Sequence, residues 1–101
     1  MRKVIVLEEA AEDIERARNF YDSQDLGVGS YFAASIVAEI EGLGLLHGIH
    51  SKHFGFHRRL SDRFPFGIYY RESQKAAEVF AVLDLRRDPQ WILMELNKRN
   101  G

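Results

Sequence analysis

The apolar residues near the start of the chain change from a short consecutive run to a helical spacing. Residues 3–7 read Lys-Val-Ile-Val-Leu, a β-branched run that is too short for a helix and therefore predicts a first strand. From about residue 9 onward, apolar side chains recur three and four positions apart, at Ala10, Ile14, Ala17 and Tyr21. Charged residues lie between them, including Glu12, Asp13 and Glu15, so the pattern predicts an amphipathic helix with a solvated acidic face.

A second helix is predicted after a stretch of helix-breaking residues. Residues 25–30 read Asp-Leu-Gly-Val-Gly-Ser and supply both a break and Ser30 as an N-cap. A helical stripe then continues at Phe32, Ile36, Ile40, Leu43 and Leu46. The two helices therefore form a hairpin from about residue 9 to residue 47, and Gly42 and Gly44 weaken its end.

The rest of the chain changes to the two-residue period of strands and then returns to a helix. Alternation over residues 54–61 and 66–71 predicts two strands joined near Pro65. Residues 78–84 are apolar at nearly every position, which is typical of a strand covered on both faces. Asp88 and Pro89 resemble an N-cap and a first helical position, so a short final helix begins there.

Together these elements predict an α+β fold with the order β-α-α-β-β-β-α. We expect the helical hairpin to pack on a small, mainly antiparallel sheet of three or four strands, with the helices on one face. The chain has 101 residues, the length of one domain, which we expect to cover residues 1–101. The predicted core consists of Val4, Val6, Ile14, Ala17, Phe32, Ile36, Ile40, Ile68, Val82 and Leu83.

Composition narrows the chemistry that the chain can perform. Hydrophobic residues make up 46% of it and charged residues 29%, a balance typical of a globular domain with its own core. No apolar run approaches the about 20 residues that span a bilayer, and no cleavage-site pattern follows Met1, so we expect a cytoplasmic protein without a membrane partner. Because the chain has no cysteine, it has no disulfide framework, thiolate nucleophile or cysteine-based zinc site, and we expect no cofactor.

The net charge of −1 gives no strong overall attraction to nucleic acid, but the basic residues are clustered. One cluster is Lys98 and Arg99 near the end of the chain, and the others contain five arginines, Arg58, Arg59, Arg63, Arg86 and Arg87. Arg58 and Arg59 are consecutive in a strand and must point to opposite faces, where one of them can instead pair with a carboxylate from a helix. Arg86 and Arg87 precede a helix N-terminus, a place suited to an anion. We interpret these five arginines as candidates for contact with a partner or target.

Other polar and aromatic residues have ordinary structural interpretations. Four histidines recur three, three and four positions apart, at His47, His50, His53 and His57. Imidazole is a common zinc ligand, but these residues cross a predicted helix end, loop and strand without a suitably placed carboxylate or cysteine, so we predict no metal site. Tyr69 and Tyr70 must divide between the two faces of a strand, and we expect Trp91 to pack against the sheet.

Several segments, in this element order, resemble the RelE/ParE toxin superfamily. They are the first-helix stripe with Phe20 and Tyr21, Leu-Gly-Val-Gly at 26–29, Arg-Phe-Pro-Phe-Gly-Ile-Tyr-Tyr at 63–70 and Ala-Val-Leu-Asp-Leu-Arg-Arg-Asp-Pro at 81–89. The resemblance covers nearly the entire chain, and its most specific pieces are Phe-Pro-aromatic and Arg-Asp-Pro. It implies the toxin component of a type II toxin–antitoxin system, neutralised by a cognate antitoxin whose C-terminal segment wraps the toxin. The five arginines then become candidates for binding the antitoxin or the cellular target.

The superfamily divides by target, and this chain departs from the branch that cuts RNA. That branch, similar to RelE, cleaves messenger RNA on the ribosome. Its basic pair aligns with His57 and Arg59, and its fourth-strand arginine aligns with Arg87. Its third-strand arginine, however, falls at Gly67, and its C-terminal tyrosine falls at Leu93. The resemblance therefore favours the ParE-like branch, which inhibits growth through DNA gyrase without cutting RNA.

Two alternatives remain open at the level of sequence. In the first, the chain is a ribosome-dependent messenger RNA endoribonuclease with His57, Arg59 and Arg87 as catalytic residues. In the second, it is a non-toxic binding module that keeps the toxin fold. The near-neutral net charge argues against docking on ribosomal RNA, where counterion release rewards many cationic contacts.

Overall fold

A computed structural model describes residues 2–45 and 48–100 of the chain. The helices are α1 (Glu8–Gln24), α2 (Val28–Glu41) and α3 (Pro89–Arg99), and a short 3₁₀ turn (Gly42–Gly44) follows α2. The strands are β1 (Lys3–Val6), β2 (Lys52–His53), β3 (Phe56–Leu60), β4 (Phe66–Glu72) and β5 (Ala76–Asp84). The predicted α+β class and helical hairpin are confirmed, and the predicted helical residues Leu46 and His47 lie outside the described part of the chain.

The strands form one mixed sheet in the order β1-β5-β4-β3-β2. β1 and β5 are parallel, and the other neighbouring strands are antiparallel. The prediction of three or four strands is wrong, because a short additional strand, β2, precedes a tight turn at the point where the strand from residue 54 was expected to begin. Phe54 and Gly55 adopt φ values of 56° and 85° there, which separates the two-residue β2 from β3.

β5 is buried on both faces of the sheet, as its apolar sequence predicted. Val79 and Val82 both lie in the cluster beneath α1 and α2, although they are three positions apart. The pairing of β4 with β5 shifts between Tyr69 and Tyr70, which leaves Phe80 as an extra residue in β5. This β-bulge changes the alternation of side chains, so that residues on either side of it face the same helices.

The third helix covers the opposite face of the sheet from the hairpin. Ile92 and Leu96 of α3 pack with Tyr69, Ala81 and Leu83 in a second apolar cluster, against which Trp91 also lies. The prediction that all helices lie on one face is therefore wrong. A helical period shows which side of a helix is buried, but it does not show which face of a sheet that side covers.

Most of the predicted core is confirmed. Buried members are Phe32, Ile36, Ile40, Ile68, Val82 and Leu83, and Val4, Ile14 and Ala17 are partly buried against the same cluster. Val6 is 39% exposed, so its assignment to the core is wrong. The reason is that β1 is an edge strand, and its alternation of apolar residues does not reveal that position in the sheet.

The two helices of the hairpin approach each other closely at the turn between them, and hydrogen bonds to Asp22 stabilise this turn. The Asp22 carboxylate accepts hydrogen bonds from the backbone N–H groups of Gly27 and Gly29, at 3.2 and 2.7 Å. Gly27 is the N-cap of α2 with φ of 97°, so the prediction of Ser30 as N-cap is wrong. A Cβ atom at Gly29 would lie 2.2 Å from the Arg18 carbonyl oxygen, and this crossing therefore requires glycine.

Candidate functional site

A groove with a volume of about 530 Å³ lies beside the end of β5, between α1 and α3. We call it the α1–α3 groove. Its apolar walls include Ala17, Phe20, Phe66 and Trp91, and its charged walls include Arg16, Asp84, Arg86 and Arg87. It therefore combines exposed aromatic surface with cations from two helices and a strand end.

The groove exists because β1 is shorter than the strand that it pairs with. β1 pairs with the first half of β5, and the Leu7 N–H donates to the Val79 carbonyl at 3.0 Å where the two strands part. Beyond that point no strand of the described residues pairs with this edge of β5. Side chains bond to the exposed edge instead, because the Asp13 carboxylate accepts from the Val82 N–H at 2.9 Å and Arg99 donates to the Phe80 carbonyl at 3.2 Å.

Asp13 of α1 and Arg99 of α3 form an ion pair that joins helices on opposite faces of the sheet. The two Arg99 terminal nitrogens donate to the two Asp13 oxygens at 2.5 and 2.9 Å, and one of them also donates to Glu95 at 3.0 Å. The side chains of Asp13 and Arg99 are only 3% and 4% exposed. We call this pair, with its bonds to the edge of β5, the Asp13–Arg99 clamp.

The clamp corrects two expectations about charge. Asp13 does not belong to a solvated acidic face, because its carboxylate is buried and shared between Arg99 and the sheet. Burial acts to lower the pKa of the Arg99 guanidinium, but hydrogen bonding and attraction to Asp13 and Glu95 raise it by more. Arg99 therefore stays ionised, and its charge is matched inside the protein.

At the other end of the groove, the charged side chains are exposed to solvent. Arg86 donates to both Asp84 oxygens, at 3.0 and 2.7 Å, and this bond holds the pKa of the Asp84 carboxyl below its ordinary value. The Arg86 side chain is 60% exposed. Phe20 is 53% exposed beside it, so this end offers apolar and polar contact area together.

Arg87 has a different environment from its neighbour. Its guanidinium lies 3.7 Å from the centre of the Trp91 ring, and in residues 2–45 and 48–100 no carboxylate lies within ion-pair distance of it. Asp88 uses its carboxylate to cap α3, accepting from the Gln90 N–H at 2.8 Å, as predicted. Arg87 thus presents an exposed positive charge against an aromatic ring, outside any close ion pair among the described residues.

Arg58 and Arg59 lie on opposite faces of β3, as their adjacency predicted. Arg59 donates to the Glu39 carbonyl of α2 at 2.6 Å, so its helix partner is a backbone oxygen and not a carboxylate. Arg58 extends over Gly67 on the other face, where a Cβ at Gly67 would lie 3.1 Å from the Arg58 Cδ and from the Leu85 side chain. The space above Gly67 is therefore filled by the stem of Arg58.

Arg63 lies in a separate region, near the start of α2. Its guanidinium donates to the Tyr31 hydroxyl and lies 5.7 Å from the centre of that ring. Glu39 accepts from the Asp62 N–H at 2.8 Å beside it. The five predicted arginines thus lie in four places, and of these five only Arg86 and Arg87 line the α1–α3 groove.

The structure does not assemble the three residues aligned with a ribonuclease site. The His57 Nδ1 lies 2.7 Å from the His50 carbonyl oxygen, and the His57 ring stacks on Tyr70 beneath the helical hairpin. Arg59 faces the same side of β3 and contacts α2. Arg87 lies instead at the end of β5, in the α1–α3 groove.

The histidine-rich segment forms a local polar cluster. The His50 Nδ1 lies 2.5 Å from the Tyr70 hydroxyl, and burial, followed by Arg59 and His57, lowers the pKa of His50. His47 lies outside the described residues. Among the residues that are described, no three His, Cys, Asp or Glu side chains gather in a way that holds a metal ion. Within residues 2–45 and 48–100, no helix is both long and apolar enough to cross a membrane.

Sequence reasoning missed the two residues of the clamp, although Asp13 carried a signal. Asp13 lies three positions after Ala10 and four before Ala17, so it occupies the apolar stripe of α1 and not its polar face. An aspartate at such a position has to find a partner inside the protein. Nothing in the sequence identifies Arg99 as that partner, because they are 86 positions apart and belong to helices on opposite faces.

Comparison with known proteins identifies the fold. No family model matches the chain, and no curated protein matches its sequence. Among solved structures, a chain described as "Chromosomal ParDE TA system from P. aeruginosa" superimposes with a TM-score of 0.76 at 17% sequence identity. The match covers 84% of this chain and 97% of that one. At this level of identity the likeness shows the fold alone, which is the fold that the sequence predicted.

Proposed function

We propose that this chain is the toxin component of a type II toxin–antitoxin system, that it inhibits growth through DNA gyrase, and that a cognate antitoxin neutralises it. The observation that carries the proposal is the fold shared with a chain of a ParDE toxin–antitoxin system across nearly all of that chain. The α1–α3 groove adds an exposed surface for a protein partner, with aromatic and cationic side chains side by side.

The positions of the cations support inhibition by binding over cleavage of RNA. A ribonuclease site needs a base, an acid and cations around one phosphate. His57 and Arg59 contact backbone carbonyls beneath the helical hairpin, and Arg87 lies in the groove. The stem of Arg58 occupies the space above Gly67, where the RNA-cutting branch has an arginine. Arg86, Arg87, Phe20 and Trp91 are better arranged as a contact surface.

Growth assays test the toxin–antitoxin assignment. The chain expressed alone should arrest growth, and co-expression of the small protein encoded in the adjacent reading frame should restore growth and raise the solubility of the chain. An antitoxin tail with acidic and apolar residues fits the groove, because it would match the charge of Arg87 and cover Phe20. Normal growth on expression, together with no binding between the two proteins, would contradict the assignment.

Two reactions with purified components distinguish the targets. The chain should inhibit supercoiling by gyrase or trap cleaved DNA, while messenger RNA on translating ribosomes should stay intact. Codon-specific cuts in the messenger RNA, with gyrase unaffected, would instead establish the ribosome-dependent endoribonuclease. Full-length messenger RNA and unaffected gyrase, in a chain that still binds its neighbour, would establish the non-toxic binding module.

Matched variants locate the surface that acts. Arg86→Ala and Arg87→Ala should weaken inhibition of gyrase more than His57→Ala does, because the first two line the groove and His57 does not. Lys75→Ala is the matched control, since Lys75 is an exposed cation in the turn before β5. A loss with Lys75→Ala as large as that with Arg87→Ala would show that overall charge matters and the groove does not.

A further inference from the structure

The outer edge of β1 is open, and its bonding groups can be assigned from two hydrogen bonds. The Leu7 N–H donates to the Val79 carbonyl of β5, so the backbone groups of Ile5 and Leu7 point toward that strand. Those of Val4 and Val6 must point away from the sheet. Arg2, which also points outward, donates its N–H to the Gly44 carbonyl at 3.3 Å, and this contact closes the edge at its start.

The free edge therefore consists of two N–H groups and two carbonyl groups, those of Val4 and Val6, with no partner among residues 2–45 and 48–100. The centre of this edge, Val4, Ile5 and Val6, is apolar, and Lys3 at its start carries the charge of β1. Ile5 and Val6 are 40% and 39% exposed, and on the face of Val6 a groove of about 340 Å³ is lined by Val4, Val6, Ile14 and Val37.

We propose that two copies of this chain associate by antiparallel pairing of β1 with β1 around a two-fold axis at Ile5. Val4 of each copy lies opposite Val6 of the other, and each such pair exchanges two hydrogen bonds. All four free groups of each edge are then satisfied. The two Ile5 side chains face each other across the axis and bury apolar area that the single chain exposes.

The structure excludes the two neighbouring registers. A two-fold axis at Val4 would pair Val6 with Arg2, whose N–H is already bonded to Gly44. An axis at Val6 would pair Val4 with Glu8, which is the first residue of α1 and not extended. The register centred on Ile5 is therefore the one that uses all of the free groups without disturbing either end of the strand.

Charge favours the same arrangement. In this register Lys3 of one copy lies opposite Leu7 of the other, next to Glu8 in the first turn of α1. Lys3 and Glu8 are both exposed, and neither forms an ion pair within the described part of the chain. Two Lys–Glu contacts related by the two-fold axis therefore accompany the strand pairing. The proposal does not depend on the proposed function, because it rests on the β1 edge and not on the α1–α3 groove.

The chain has no cysteine, so introduced thiols test the register directly. Under oxidised glutathione, Ile5→Cys should form a covalent dimer, because the two introduced thiols face each other with Cβ atoms about 4.5–5.5 Å apart. Val4→Cys and Val6→Cys are the matched controls and should remain monomeric on a denaturing gel, since each thiol would face a valine. Equal cross-linking of the three variants would overturn the register.

Sedimentation of the full chain over a concentration series tests the association itself. The parent chain should show a reversible dimer. Ile5→Lys should raise the dimer dissociation constant about tenfold or more, because two like charges then face each other. Leu26→Lys, at a residue that is 91% exposed in the turn between α1 and α2, should leave the constant unchanged.

A proline variant tests the hydrogen bonds without adding charge. Val6→Pro removes an N–H that points out of the monomer, so the chain should keep its fold by circular dichroism and lose the dimer. If that variant does not fold, Ile5→Lys and the cysteine series still decide the question. A parent chain that is monomeric at its highest soluble concentration, and that is not cross-linked through position 5, overturns the proposal.

Discussion

Arg99, the last residue of α3, and Arg87, two residues before its start, both line the α1–α3 groove but meet different surroundings. The Arg99 side chain is 4% exposed and bonds to Asp13, Glu95 and the edge of β5. Arg87 is exposed and contacts the face of Trp91. The same guanidinium group thus closes a gap in the sheet at one end and remains available to a partner at the other.

The difference shows that residue type alone does not separate a structural cation from a functional one. Burial and the presence of a matching carboxylate make the distinction. Arg99 is buried in an ion pair with Asp13, so its loss affects the folded state, whereas Arg87 is exposed and outside any close ion pair in the described residues, so its loss affects binding. Stability and activity measurements on paired variants test this contrast.

The largest expected effect is at the clamp. Arg99→Ala leaves the Asp13 carboxylate buried without its counter-charge, and breaking a buried pair in this way costs about 3–5 kcal/mol of the free energy of unfolding. Urea denaturation measures the change. Lys98→Ala, at a side chain that is 70% exposed, is the control and should stay within about 0.5 kcal/mol of the parent. Similar losses in the two variants would show that the clamp does not stabilise the fold.

A smaller effect on stability is expected from a substitution at Gly67, because the stem of Arg58 already packs above this residue. Gly67→Arg places a side chain where the Arg58 stem and Leu85 already lie, and such overpacking costs about 1–3 kcal/mol. Thermal unfolding measures the loss. Adding Arg58→Ala should recover part of it, because the stem then leaves the space. An undiminished loss in the double variant would place the strain elsewhere.

The exposed ion pair at the open end of the groove should contribute still less, and its contribution depends on pH. Arg86→Ala should cost at most about 1 kcal/mol near neutral pH, since Arg86 is largely solvated. Arg86 lowers the pKa of Asp84 in the folded state, so the stabilisation is present above the ordinary aspartate pKa. It is lost as the pH falls through the lowered value. Parent and variant should therefore converge in acid, and a constant difference in unfolding free energy would contradict this account.

The smallest change in stability is expected at Arg87, where the change in activity should be largest. Arg87→Ala removes an exposed contact with Trp91, worth about 0.5 kcal/mol. The same variant should lose most of its inhibition of gyrase, because an exposed charge is gone from the groove. Urea denaturation and a supercoiling assay on one preparation make the comparison. A destabilised variant that still inhibits would reverse the contrast with Arg99.

The sequence predicted the elements and most of the core because both follow from the local spacing of apolar residues. Phe32, Ile36 and Ile40 lie one helical turn apart, and their stripe is buried as predicted. The sequence did not predict the bulge at Phe80, because most residues on both sides of it are apolar and show no alternation that a bulge could interrupt. The turn at Phe54 also escaped notice, because a phenylalanine rarely adopts positive φ.

The candidate site was harder to predict because it depends on contacts between distant segments. The sequence predicted correctly that Arg86 and Arg87 lie together, at the end of a strand and before a helix. It did not show that α1 and α3 flank the same stretch of β5, and so it did not place Phe20 beside them. That arrangement follows from the position of α3 on the second face, which no local period encodes.

The clamp also makes one backbone amide an indicator of partial opening. The Val82 N–H bonds to the Asp13 side chain and not to a neighbouring strand, and Arg99 holds that carboxylate in place. Undocking of α3 would therefore free this proton for exchange with solvent while the amides between β4 and β5 stay protected. Hydrogen exchange at Val82 thus reports the detachment of the last helix separately from global unfolding.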